Sequence, residues 1–114
     1  MIPKIYELHA EICQTLANPK RLEILDLLSK GEKSVSELVA LLDIRQANLS
    51  QHLAILRQKG VVATRRTGTH IYYRISNKKI VRAYGLLKEV LLERLAEAGE
   101  LVKELKKINF KYKV

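Results

Sequence analysis

A single cysteine, Cys13, rules out a disulfide within one chain and any metal site assembled from clustered thiolates of one protomer. Tryptophan is absent and phenylalanine occurs once, so a core must be built from Leu, Ile, Val and Ala with a few Tyr, a composition that favours helices packed on helices. No apolar run approaches the ~18 residues needed to cross a bilayer, and Met1-Ile2-Pro3 does not lead into the hydrophobic stretch of a secretion signal. The expected location is therefore the cytoplasm, with no membrane partner. The most informative absence is of acid. Between Ile44 and Lys88 there is neither Asp nor Glu, whereas the same stretch carries ten Lys and Arg: Arg45, Arg57, Lys59, Arg65, Arg66, Arg74, Lys78, Lys79, Arg82 and Lys88. With a net charge of +9 for the whole chain, the excess positive charge lies in that one segment, which suits a polyanionic partner.

The 114 residues are enough for one compact domain with a modest core. Ile5, Leu8, Ile12, Cys13 and Leu16 fall three and four apart, the stripe of an amphipathic helix over Lys4–Leu16. Asn18-Pro19 stops it and starts another, because Asn caps a helix and Pro suits its first turn. The second helix directs Leu22, Ile24, Leu25 and Leu28 inward and ends at Ser29-Lys30-Gly31. Ser34 and Glu37 have the spacing of a capping box for a short third helix, Val35 to Leu42. Asp43-Ile44-Arg45 makes a tight turn, and a fourth helix runs from about Gln46 to Lys59, where Gly60 stops it. Two short helices joined by a three-residue turn form a helix-turn-helix.

After Gly60 the period changes to two. Val61 to Arg66, a Thr67-Gly68-Thr69 loop and His70 to Ile75 read as a β-hairpin. From Ser76-Asn77, both capping residues, a last helix is expected to run to about Ile108, carrying Ile80, Tyr84, Leu87, Leu91, Leu95, Ala98, Val102 and Leu105 on one stripe. Such a stripe is longer than a small domain covers by itself, and a second copy of the chain is its simplest partner. The expected fold is mainly α with a β-hairpin wing, a winged helix-turn-helix. Its parts are a dimerisation helix over residues 1–17, a DNA-binding core and wing over 18–76, a dimerisation helix over 77–108 and a tail over 109–114.

Leu49, Leu53 and Leu56 share one side of the fourth helix and mark its buried face. The opposite face holds Ala47, Gln51, Ala54 and Gln58, flanked by Asn48 and Ser50. Amide side chains pair bidentately with adenine and Ala can touch a thymine methyl, so this face suits a major-groove floor. The candidate recognition residues are Gln46, Ala47, Asn48, Ser50, Gln51 and His52. His52 also sits beside the Leu stripe, where a locally bonded, packed histidine is the plainer alternative. Arg65, Arg66 and Thr67 at the hairpin end are candidates for phosphate or minor-groove contact, although paired arginines there also serve as edge protection. Arg45, Arg57 and Lys59 are further candidates for phosphate contact. His9 and Cys13, four apart, lie near one face and could offer two ligands to Zn²⁺ or Cu⁺, but a Cys is commonly just a small buried apolar residue, so no metal or other cofactor is expected. No nucleophile-base pairing, phosphate-cradling Gly loop or metalloprotease motif is present, and the chain does not read as an enzyme.

The run Ala17-Asn18-Pro19-Lys20-Arg21-Leu22-Glu23-Ile24-Leu25, then Ser36-Glu37-Leu38, the run from Leu49-Ser50-Gln51-His52-Leu53 to Lys59-Gly60-Val61-Val62, then Arg66-Thr67-Gly68 and Tyr72-Tyr73-Arg74-Ile75 resemble the ArsR/SmtB family of bacterial and archaeal repressors. The resemblance covers roughly Tyr6 to Ala83 in unbroken order. It implies a homodimer of five helices and a wing, joined through the first and last helices, whose paired recognition helices enter successive major grooves of an imperfect inverted repeat. In that family ligand binding usually releases the DNA. The sequence departs from the family where metals are sensed. Arsenic- and cadmium-responsive members carry two cysteines at positions that are Ser34 and Ser36 here, and hydroxyls are poor ligands for soft metals. Zinc- and nickel-type members use Asp and His on the last helix, yet no His follows His70 and no Asp follows Asp43. Cys13 remains as a redox or effector candidate, if two copies approach across a dimer interface; the effector itself is unknown.

The leading expectation is a sequence-specific regulator, a repressor that binds double-stranded DNA. Two alternatives stand beside it: an architectural protein that coats DNA by charge, and a winged helix that docks on an acidic protein. The uncharged outward face of the fourth helix favours the first, because a pure phosphate binder gains more from Lys and Arg there than from Gln and Asn.

Overall fold

A computed structural model describes residues 2–99 and Lys107. Eight elements follow in chain order: α1 (Ile2–Leu16), α2 (Pro19–Leu28), β1 (Lys33–Ser34), α3 (Val35–Leu42), α4 (Gln46–Gln58), β2 (Val62–Thr67), β3 (His70–Ile75) and α5 (Lys78–Glu97). The chain divides into two compact units, one ending at Asn77 and one beginning at Lys78.

Local chemistry sets the boundaries in the first unit. Asn18 is extended and its side chain accepts the Arg21 backbone N–H at 3.1 Å, with Pro19 opening α2. This satisfies an amide that has no partner inside the helix. Ser34 and Glu37 form a complete capping box: Ser34 Oγ accepts the Glu37 N–H at 3.1 Å and Glu37 Oε1 accepts the Ser34 N–H at 2.9 Å. The Ser34 bonds hold the Glu37 carboxyl below its usual pKa. α3 ends at Asp43, which takes the left-handed conformation (φ 50°) and donates its N–H to Val39 O at 3.0 Å. Asp tolerates that region better than most side chains, since its short polar group bonds locally. Gly60, at φ 75°, stops α4 as expected.

The core lies between α2, α3, α4 and the sheet, elements that contact one another directly. Ile24, Leu25, Leu38, Leu42, Leu49, Leu53, Leu56 and Val61 are essentially inaccessible to solvent, and Leu27, Leu28 and Val62 are buried with them. Leu22 is an exception to the expected inward face: it is exposed, and Leu27 packs instead. At about 100° per residue, Ile24, Leu25, Leu27 and Leu28 share one arc of α2, and Leu22 falls beyond its edge.

The expected hairpin is two strands of a three-stranded antiparallel sheet, in the order β1-β3-β2. Lys33 pairs with Tyr73 and Ser34 with Tyr72 on one side of β3, while β2 pairs on the other from Val62↔Ile75 to Thr67↔His70. Two residues carry no readable alternation, so β1 is invisible as a strand in the sequence. Thr67 belongs to β2, leaving the two-residue connection Gly68-Thr69 with Gly68 at φ 61°, a conformation that costs glycine little. Ser76 closes the base of the sheet: its N–H donates to Val61 O at 3.1 Å and its hydroxyl to Gly60 O.

α5 also differs from the expected helix. Its continuous run stops at Glu97, after 20 residues, about 30 Å at 1.5 Å per residue. Gly99, at φ 74°, turns its N–H onto Ala96 O at 3.1 Å, a left-handed ending that the apolar spacing on either side conceals. The expected continuation through Val102 and Leu105 to Ile108, and the 109–114 tail, lie outside the described residues apart from Lys107. Among the described residues no helix is long and apolar enough to cross a membrane.

Candidate nucleic-acid interface

α4 has two faces. Leu49, Leu53 and Leu56 are buried, while Gln46, Ala47, Asn48, Ser50, Gln51, Ala54, Arg57 and Gln58 are exposed. The arc that holds the helix in place is thus separate from the arc that is open to a partner. Arg45 sits at the N-cap and makes no side-chain cap bond, so the first amides of the helix are left for solvent or an anion. Lys59, at the other end, is exposed.

His52 lies between these arcs and is half-buried. Its Nδ1 accepts the Arg21 Nε–H at 3.4 Å, and Arg21 Nη1 donates to Thr15 O at 3.0 Å. One guanidinium therefore links the end of α1 to α4. Burial and the neighbouring cations Arg21 and Lys20 push the His52 pKa down, which keeps the ring neutral and able to accept. This arrangement matches the packed alternative for His52; its Nδ1 is already committed inside the protein.

The wing separates its two arginines. Alternation along β2 puts Arg65 on the face of Tyr72, its cross-strand partner, and Arg66 on the face of Ile71. Arg65 crosses the Tyr72 ring, 4.8 Å from its centroid, and meets Glu32 with Nη2 2.6 Å from Oε1. Its Nε is 3.2 Å from each carboxylate oxygen, and Nη1 donates to Thr67 Oγ1 at 2.5 Å. The Arg65 bonds lower the Glu32 pKa, and Glu32 in turn raises that of Arg65. Arg66 is exposed and its side chain makes no hydrogen bond or ion pair with a described residue. His70 stacks at a tilt near Tyr72, with ring centroids 6.4 Å apart. Glu32 and Arg21 escape sequence reasoning because their partners lie far along the chain.

Residues 18–64 match the family model of bacterial regulatory proteins of the arsR family. Rv0081, an uncharacterized HTH-type transcriptional regulator of Mycobacterium tuberculosis, is 37% identical over 103 residues, 90% of each chain. The chain belongs to the ArsR family. Shape and further relatives agree. The crystal structure of Rv0081 superposes with a TM-score of 0.76 at 39% identity, covering 82% of this chain and 95% of that one. The biofilm growth-associated repressor of Agrobacterium fabrum is 49% identical over 73 residues, 64% of this chain and 62% of that one. The solution structure of Mb0332 from Mycobacterium bovis, a homodimeric winged helix-turn-helix DNA-binding domain, gives a TM-score of 0.75 at 34% identity over 82% of this chain and 86% of that one. The fold is the winged helix-turn-helix of this ArsR family, with α3 and α4 as its helix pair and β2–β3 as its wing. Among the described residues no cluster of three or more His, Cys, Asp or Glu can hold a metal ion.

Proposed function

We propose that this ArsR-family protein binds double-stranded DNA as a homodimer at an inverted repeat and represses transcription there. The observation that carries the reading is the exposed, acid-free face of α4 beside an exposed wing cation. Gln46, Ala47, Asn48, Ser50 and Gln51 offer amide, hydroxyl and methyl groups to base edges. Arg45, Arg57, Lys59 and Arg66 are exposed around them and suit the phosphates.

The dimer rests on two uncovered apolar faces. α1 exposes Ile5, Leu8 and Ile12, and α5 separately exposes Leu86, Leu87, Val90 and Leu91. Large aliphatic side chains grouped in this way mark an association surface. The homodimeric Mb0332 domain supports a second copy as its occupant. Cys13 is exposed on α1, and a Cys13→Ser variant that loses DNA on oxidation as fully as wild type would exclude it as a sensor.

Mobility shifts of short duplexes, with protomers counted by sedimentation, test the proposal. Two protomers per duplex and an affinity for one inverted repeat ~10³ or more above random DNA at physiological salt are expected. Binding with little sequence preference would leave the charge-coating alternative, and no shift even at low salt would leave docking on an acidic protein.

A further inference from the structure

We propose that Arg65 positions the wing instead of contacting phosphate: forked onto Glu32 across the Tyr72 ring, it locks β2 and β3 to the segment that opens α3, leaving Arg66 as the arginine of the pair that is open to DNA. The inference rests on the DNA-binding reading only for its second half. The first half is visible in the free protein.

All three guanidinium nitrogens of Arg65 are committed, two to Glu32 and one to Thr67. Glu32 lies next to β1, and β1 is on the far side of β3 from β2. The ion pair therefore spans the sheet, with Tyr72 as the middle layer that sets its height. Two residues after Glu32, Ser34 pairs with Tyr72 and caps α3, so the same short segment holds both the wing and the first helix of the helix-turn-helix. β1 has only two residues, too few ladder bonds to fix the hairpin firmly. A planar fork that grips a carboxylate supplies the missing constraint, which a lysine point charge cannot.

Charge leads to the same assignment. Glu32 beside the wing would repel a phosphate if left bare, and Arg65 cancels it locally. Arg66, one residue on, points to the other face and has no such partner. The pair contributes no net charge, so of the two adjacent arginines it is Arg66, and not Arg65, that should release a counterion; Arg74, the exposed cation of β3, acts on Glu32.

The first test needs no DNA. Amide hydrogen exchange at Tyr72 and Tyr73 should quicken several-fold in Glu32→Gln, in Arg65→Gln and also in Arg65→Lys, which keeps the charge but not the fork, and should not change in Arg66→Gln. Unchanged exchange in Glu32→Gln and Arg65→Lys overturns the positioning role. The second test is the slope of log K against log salt on a short mixed-sequence duplex. Arg66→Gln should lower its magnitude by about 0.9, one phosphate, and the Glu32→Gln, Arg65→Gln double variant should keep the wild-type slope while weakening binding several-fold. A double variant that loses as much slope as Arg66→Gln overturns the assignment. Should the wild type fail to bind any duplex, the DNA reading falls, while the exchange experiment still decides whether Arg65 holds the wing.

Discussion

Leu53→Ala and Gln51→Ala, two residues apart on α4, test the division of that helix into a held face and an open face. Leu53 is 1% exposed, so the change removes three buried carbons. At ~0.8 kcal/mol per buried methylene, with the cavity left behind added, the cost is about 3 kcal/mol. That is a large part of the ~5–15 kcal/mol that holds a typical domain together. Gln51 is exposed, and its replacement by a better helix former should alter stability by no more than about 0.5 kcal/mol. The assay is urea unfolding at one fixed protein concentration, since a dimer's midpoint depends on it. DNA binding is then measured where both variants are folded: Gln51→Ala should lose roughly 1–3 kcal/mol of discrimination between its preferred duplex and a scrambled one, whereas folded Leu53→Ala should keep its base preference. A loss below about 1 kcal/mol in Leu53→Ala, or an equal loss in Gln51→Ala, would refute the two-faced helix.

Two further outcomes follow from local chemistry. Ser34→Ala removes one side of the capping box of α3 and should cost about 1 kcal/mol of stability, read from the same urea midpoints. His52 gives a pH dependence of defined sign: its pKa in the folded protein lies below the ordinary value of 6.5, so the unfolded chain binds more protons in that window and stability falls as pH drops through it. The contribution is complete above about 6.5 and fully lost below the folded pKa; His52→Gln should flatten this part of the stability profile, and an unchanged profile would contradict the burial of His52 beside Arg21 and Lys20.

The elements that were legible in the sequence are those whose signals are local. Asn18-Pro19, the Ser34/Glu37 pair and Gly60 each act within a turn of chain, and the structure places helix boundaries at all three. The buried Leu49, Leu53 and Leu56 follow from spacing alone. The rest depends on long-range contacts. β1 is a strand only because β3 lies beside it, the Arg65–Glu32 pair joins residues 33 apart, and Arg21 meets His52 31 residues away. Spacing alone marks Arg65 and Arg66 as equals, yet pairing to Tyr72 and to Ile71 separates them. Gly99 ends α5 against the apolar pattern around it because a left-handed turn costs glycine little.

In the proposed complex two copies of α4, related by a two-fold axis, read bases together. Selection of bound duplexes from a random pool tests it most directly. The expected result is enrichment of two half-sites in inverted orientation, about one helical turn apart, which Gln51→Ala blurs. A recovered pool without sequence preference, bound with steep salt dependence, would contradict it.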